Sequence, residues 1–365
     1  MKKSFALLMI LRIARGNAAS ADYAERRAAV ARRYVPSFTI LNFADRYSRH
    51  MIPSGLRYAG LVLAALAVVH GARLPAAQSV VLPTWVCAHP DAIFVSHLDA
   101  IESIVPHDPS GGSGGATGLT THTLHIAGLG TGTQTYYLYV PTSYTPSQAY
   151  PFLLALHGTA PYASRDIYAS DVRDAWAGIA PGARFIVAAP VADEMVSVNG
   201  QPGASWLVPP TSGPNDYDLF AAVLSAVESA YNVDRTRVYG WGFSSGGHVM
   251  HALGLTDDSD AFNTSTMAAY SVAAGALAGD LCAGASDAQC NASLNAATRK
   301  IPVSLVVGTG DTAYSYVLSD YNRFQTDGWT ANSTIFFNTF NGGHTYSVTN
   351  MQVAWTHLCP NAVTP

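Results

Sequence analysis

Short apolar runs recur along the chain from about residue 135, separated by stretches rich in glycine, proline and polar residues. Thr135–Val140 alternates polar and apolar and stops at Pro141, as a half-buried strand would. Pro151–Leu156, Arg184–Ala189, Arg237–Trp241, Ile301–Val307 and Thr334–Asn338 are nearly continuous apolar runs, the pattern of strands buried on both faces. Between them, Tyr217–Tyr231 carries apolar residues at helical spacing, and His248–Leu253 is helix-compatible. Strands alternating with helices predict an α/β fold with a doubly wound, mostly parallel sheet. Gly128–Thr133 misses the last glycine of G-x-G-x-x-G and reads as a turn between strands. Ser110–Gly115 reads as a flexible linker. No internal repeat is visible.

The chemistry concentrates at the ends of these runs. Gly242-Phe243-Ser244-Ser245-Gly246 is a complete G-x-S-x-G, entered from a strand and left by a helix. That context is a nucleophile elbow, whose sharp turn needs small residues two before and two after the serine. Ser245 has Phe243 where a small residue is required, so the spacing selects Ser244. Downstream, the strand 301–307 ends in Gly308-Thr309-Gly310-Asp311, and the strand 334–338 is followed by Asn341-Gly342-Gly343-His344. The order serine, acid, base makes Ser244, Asp311 and His344 the expected catalytic set. Asp320 and Asp327 are weaker acids because no strand delivers them, and His357 reads as packing. Upstream, the strand 151–156 ends in His157-Gly158-Thr159. Backbone N–H groups of Ser245 and of Thr159 or its neighbour are the expected oxyanion donors.

Three segments resemble the secreted esterases that include polyhydroxybutyrate depolymerases, feruloyl esterases and acetylxylan esterases. They are Leu154-Ala155-Leu156-His157-Gly158; Tyr231-Asn232-Val233-Asp234-Arg235-Thr236-Arg237-Val238-Tyr239 running into Gly242–Gly247; and Gly308–Asp311 with Gly343-His344-Thr345. The resemblance spans roughly residues 134–358. It implies an α/β-hydrolase fold, ester hydrolysis through an acyl-serine and no cofactor, and it carries Ser244, Asp311 and His344 over as the triad. Thr159-Ala160 replace the cysteine or second glycine that often follows His-Gly in these enzymes.

Charge and cysteines narrow the setting. Residues 1–78 hold 12 of the 20 basic and 3 of the 24 acidic residues, leaving 8 basic and 21 acidic, a formal net of −13, for the rest. Such a surface repels nucleic acid, and no Gly-Lys-Ser/Thr marks a P-loop. Leu61–Val69 is too short to span a bilayer comfortably, and with Arg57 before it and small residues at 72–77 after it, it has the layout of a secretory signal. The expected organisation is an upstream extension over 1–50, arising if Met51 is the true start. A signal peptide over 51–78, a leader and linker over 79–118 and a catalytic domain over 119–365 follow. The rival layout has Phe5–Leu11 as a short signal core and residues 59–69 as an uncleaved anchor. In an exported protein the four cysteines, Cys87, Cys282, Cys290 and Cys359, suggest two disulfides, with Cys282–Cys290 and Cys87–Cys359 the favoured pairing among three. None has metal-ligand spacing, and the His248/His251 pair lacks the glutamate of a His-Glu-x-x-His site.

Trp206, Trp241, Tyr314, Tyr316 and Tyr346 flank the motifs and are candidate aromatic walls for substrate. The leading expectation is a secreted serine carboxylic-ester hydrolase acting on a small-molecule, polyester or polysaccharide ester, without stable membrane insertion. A prolyl-oligopeptidase-like serine peptidase would use the same triad, but nothing here is the size of a propeller domain. A non-catalytic binding module on a hydrolase fold is the third reading, and the intact triad speaks against it.

Overall fold

The computed structural model describes residues 108–277 and 287–363. The expectations for 1–50, 51–78 and the leader before residue 108 lie outside the described residues, as do Cys87 and Cys282. Eleven strands and seven helices of four or more residues follow in chain order among those described. The strands are β1 (Gly118–His125), β2 (Thr133–Val140), β3 (Tyr150–Leu156), β4 (Ala160–Pro161), β5 (Ile186–Pro190), β6 (Glu194–Val198), β7 (Gln201–Ser205), β8 (Val233–Phe243), β9 (Met267–Ala273), β10 (Val303–Gly308) and β11 (Ile335–Phe340). The helices are α1 (Arg165–Ala177), α2 (Ala180–Ala183), α3 (Asp216–Ala230), α4 (Ser245–Leu255), α5 (Asp287–Ala296), α6 (Tyr314–Thr326) and α7 (Val348–Leu358).

Eight strands form one sheet in the order β1-β2-β5-β3-β8-β9-β10-β11. Only β2 runs against the rest; β5, β3, β8, β9, β10 and β11 pair in parallel. Counted along this sheet alone, the order is 1-2-4-3-5-6-7-8 with the second strand antiparallel, which is the α/β-hydrolase topology. Four of the five continuous apolar runs are the interior strands β3, β5, β8 and β10. The fifth, Thr334–Asn338, is the edge strand β11, buried at Ile335 and mostly half-buried beyond it because no strand covers its outer side. Strands β3, β5, β9 and β10 are buried at every residue. That burial is what a parallel sheet covered on both faces requires.

Residues of alternate parity feed two cores. On one face Phe152, Leu154, Ile186 and Ala188 pack under Phe220 and Val223 of α3, Val249 and Leu253 of α4, and Phe324 of α6. On the other, Leu153, Val187, Tyr239 and Trp241 pack under Trp176 of α1 and Trp355 of α7. Trp176 sits at the centre of this second core, edge-on to Phe185, Trp241 and Trp355 with ring centroids 5.8–6.4 Å away. The central helix α3 starts with a capping box, Asn215 and Asp218 each accepting from the other's end of the first turn.

One expectation changes and another holds. Ser110–Gly115 is no free linker: Ser110 N–H donates to Val233 O at 2.8 Å, Gly114 N–H to Ala230 O at 2.7 Å, and the Ser110 hydroxyl bonds the Tyr231 carbonyl at 2.8 Å. A side chain at Gly112 would overlap the Tyr231 backbone, so the glycines there serve close approach rather than flexibility. Gly128–Thr133 does form the β1–β2 turn, closed by Ile126 N–H to Gly132 O at 2.9 Å. The β6–β7 hairpin and strand β9 have weaker signatures. The hairpin is mostly exposed, and β9 is alanine-rich.

Cys290 and Cys359 are each disulfide-bonded. They belong to the cores on opposite faces of the sheet. A bridge needs Cα atoms within about 7 Å, so the two are not bonded to each other, which removes one of the three pairings.

Trp176→Ala should lower unfolding free energy by roughly 3–5 kcal/mol, because it opens a cavity under three aromatic neighbours. Denaturant titration measures this.

Candidate active site

Four strand ends converge at the carboxyl edge of the parallel sheet, where α/β sheets bind their ligands. They are the ends of β3, β8, β10 and β11, and they deliver His157-Gly158-Thr159, Ser244, Asp311 and His344 respectively. Ser244 falls between β8 and α4 with φ 53° and ψ −119°. A non-glycine residue held at positive φ costs on the order of 1–3 kcal/mol and persists only where its surroundings fix it. Here Ser244 N–H donates to Ala273 O at 2.9 Å, while its carbonyl accepts from Gly247 and His248 at 2.9 and 3.1 Å. A Cβ at Gly242 would collide with the Gly246 backbone, and one at Gly246 would lie 2.6 Å from the carbonyl oxygens of Leu156 and His157. The two glycines therefore let α4 close directly onto β8 and β3.

The structure brings the three expected residues together. Ser244 Oγ lies 2.8 Å from His344 Nε2. His344 Nδ1 lies 2.9 and 3.1 Å from the two carboxylate oxygens of Asp311. Because Nδ1 faces a carboxylate it carries the ring proton, which leaves Nε2 free to accept from the serine hydroxyl. Asp311 is buried, and its Oδ1 also accepts from Ala313 N–H at 2.8 Å, so the carboxylate is fixed in direction. The His344 loop rests on the end of β10 through Gly310 N–H to Gly342 O at 2.8 Å. His344 remains 44% exposed, so the site is open to solvent on that side.

The His-Gly loop lies against the elbow. A Cβ at Gly158 would stand 2.9 Å from Ser244 Cβ. His157 is buried, donates from Nδ1 to Gly158 O at 2.6 Å and accepts at Nε2 from Ala192 N–H at 3.1 Å. Burial drops its pKa to about 4, so the ring is neutral and its tautomer set. Thr159 is exposed between β3 and β4, and β4 is clamped by pairing of Ala160 with Ala204 of the hairpin strand β7. Ser245 opens α4, where the first amides of a helix have no intrahelical acceptor and the helix dipole is positive.

The aromatic expectations divide. Trp206 is buried and not a pocket wall: its indole donates to His157 O at 2.9 Å and its ring packs on His157 and Phe220. Trp241 is likewise core, 1% exposed and packed edge-on against Trp176 and Tyr346. Tyr239, Trp241 and Phe243 alternate onto one face of β8, and Trp241, one step deeper in the strand than Phe243, is covered by Trp176 of α1. Tyr314 is half-buried against Phe337, and Tyr316 stands exposed. Tyr346 is half-buried against Trp241 and Phe243, its phenol pushed up to about 12 by burial. The residue missed from sequence is Phe243, whose ring lies 4.9 Å from that of His344 and 5.0 Å from that of Tyr346. It occupies the variable position of G-x-S-x-G, which carries no signal of its own. His357 packs as expected, stacked on Phe336 and bonded to Ser304 Oγ at 3.1 Å. Asp320 is buried, paired with Arg323 and accepting from Leu277 N–H at 2.9 Å. Among the described residues no group of histidine, cysteine or acidic side chains could hold a metal ion, and no helix is long and apolar enough to cross a membrane.

No protein-family model matches the chain, and no curated protein matches it. Solved structures do. A ferulic acid esterase aligns over 66% of this chain and 97% of its own at 16% identity and a TM-score of 0.48. An S-formylglutathione hydrolase from Staphylococcus aureus aligns over 67% and 99% at 14% identity and 0.48. A ferulic acid esterase from the anaerobic fungus Anaeromyces mucronatus aligns over 69% and 95% at 15% identity and 0.46. The assignment of the α/β-hydrolase fold rests on this chain's own strand order and direction.

Buried neutral histidines make stability pH-dependent. His157 (about 4) and His251 (about 3) are held below 6.5 by burial. Each contributes stability that is full above about pH 6.5 and lost as pH falls, at roughly 1.4 kcal/mol per pH unit. Asp216 acts oppositely: burial raises it to about 7, so its contribution is full below about 3.8 and is lost as pH rises through 7. Melting curves should show His251→Gln flattening the acid-side fall and Asp216→Asn gaining on wild type from above about pH 4, with the gain complete near pH 7.

Proposed function

We propose that the protein is a secreted serine carboxylic-ester hydrolase acting through an acyl-serine intermediate. The observation that supports this most is the continuous Ser244–His344–Asp311 hydrogen-bond relay on a strained elbow. In this reading His344 Nε2 takes the Ser244 proton as Oγ attacks the ester carbonyl. Asp311 holds the Nδ1–H tautomer and stabilises the imidazolium. The oxyanion is received by the N–H groups of Ser245 and Thr159, at the α4 N-terminus and on the loop set by His157. The tetrahedral intermediate collapses, and His344 returns the proton to the departing alcohol. Water, deprotonated by the same imidazole, then attacks the acyl-serine, releasing the acid and restoring Ser244.

The open site and the half-buried Phe243–Tyr346 pair suit an ester carried on a larger molecule, such as a polyester, a feruloylated or acetylated polysaccharide. Secretion, by a signal over residues 51–78, and the pairing Cys282–Cys290 with Cys87–Cys359 belong to the same reading. The opposite-face placement of Cys290 and Cys359 supports that pairing without singling it out from Cys87–Cys290 with Cys282–Cys359.

Nitrophenyl ester hydrolysis tests the roles. Ser244→Ala should lower kcat by roughly 10⁴- to 10⁶-fold, and Asp311→Asn by about 10⁴-fold, with folding intact. A wild-type rate that survives Ser244→Ala would refute the assignment.

A further inference from the structure

His248 takes no part in the relay, yet it stands beside it. It is the fourth residue of α4, and its backbone N–H donates to the Ser244 carbonyl at 3.1 Å, one turn from the nucleophile. Helical side chains lean toward the helix N-terminus, so the imidazole is thrown back over the Ser244 turn. It is half-buried, and it is near enough to His344 for the two rings to interact electrostatically. Burial first, and His344 second, hold its pKa below the ordinary value, which keeps the ring neutral.

Three other histidines among the described residues each have at least one ring nitrogen hydrogen-bonded, although Nε2 of His251 has no partner. His157 bonds Gly158 O and Ala192 N–H, His251 bonds the Tyr270 hydroxyl at 3.2 Å, and His357 bonds Ser304. Among the described residues nothing hydrogen-bonds the His248 ring. Three residues earlier on the same helix face, Ser245 Oγ is also buried without a hydrogen-bond partner. A neutral imidazole offers one donor and one acceptor, and a hydroxyl offers both. Of the two, the His248 ring is the one that interacts with His344, the residue through which the relay hands its proton to the leaving alcohol.

We propose that His248, together with Ser245 Oγ, reads the alcohol half of the ester, favouring alcohols that carry a second oxygen near the scissile bond over plain alkyl alcohols. The inference rests on the ester-hydrolase reading above. The second oxygen is a hydroxyl, which can use both the donor and the acceptor, or an ester carbonyl, which accepts from the donor, and an alkyl chain supplies neither.

The test is the ratio of kcat/KM for glyceryl butyrate, and for the butyryl ester of methyl 3-hydroxybutyrate, to that for propyl butyrate. It is measured on the full chain as wild type, His248→Phe and His248→Gln, with thermal melts of each. Wild type should favour the oxygen-bearing alcohols. His248→Phe should lower the ratio by roughly tenfold, the scale of one lost hydrogen bond. His248→Gln, which keeps a donor and an acceptor, should recover most of it. If His248→Phe does not fold, Ser245→Ala is read on the same ratio and should lower it, while His248→Gln should stay near wild type. A ratio unchanged by the variants, or equal falls for all three esters, would overturn the inference. Reaction of wild type with a fluorophosphonate separates the two levels. A protein that takes the probe but does not discriminate refutes only the alcohol preference; one that neither takes the probe nor cleaves any ester refutes the esterase reading itself.

Discussion

The closeness of α4 to β8 and β3 is the constraint on which the site depends. Ser244 is held in a backbone conformation that serine disfavours, and it is held there because Gly242 and Gly246 allow three backbone segments to meet without a side chain between them. The same contact presents the α4 N-terminus to the point where negative charge would develop, and Gly158 lets the His-Gly loop reach the nucleophile. A one-carbon addition at either elbow glycine would push the helix away from the sheet and separate the serine from its base.

The rest of the structure fixes the other two partners relative to that contact. Asp311 and His344 come from adjacent parallel strands, β10 and β11, whose register is set by six paired residues. Their loops are tied together at the carboxyl edge, so the carboxylate and the imidazole arrive with their geometry already determined. Beneath them, the Trp176–Trp241–Trp355 cluster and the Tyr346–Phe243 pair form a continuous aromatic support from the second core up to the histidine. On the far side Trp206 braces His157, which in turn sets the loop bearing Thr159. Preorganisation of this kind is what electrostatic catalysis requires, since dipoles already aimed need no reorientation during reaction.

The strands and the triad were legible in sequence because each is written in a strong local pattern. Five continuous apolar runs became four interior strands and the edge strand β11, and each candidate catalytic residue lies just past the end of one. The aromatic residues were less legible. Trp206 and Trp241 sit beside the motifs in sequence but point into the cores, because strand alternation and a single indole hydrogen bond decide their direction. Phe243 lies against His344 from a position that the motif leaves free. Ser110–Gly115 has the composition of a linker, and only the Tyr231 backbone packed against Gly112 shows why those residues are glycine. His248 belongs to the same class: composition marks it as helix packing, and its role emerges from the helix direction and from what its ring does not bond.

Mass-spectrometric mapping of a fluorophosphonate adduct tests the central claim most directly. The account predicts a single stoichiometric adduct on Ser244, abolished when His344 is replaced by alanine. Absence of an adduct on the folded protein, or modification of Ser245 or another serine instead, would contradict it.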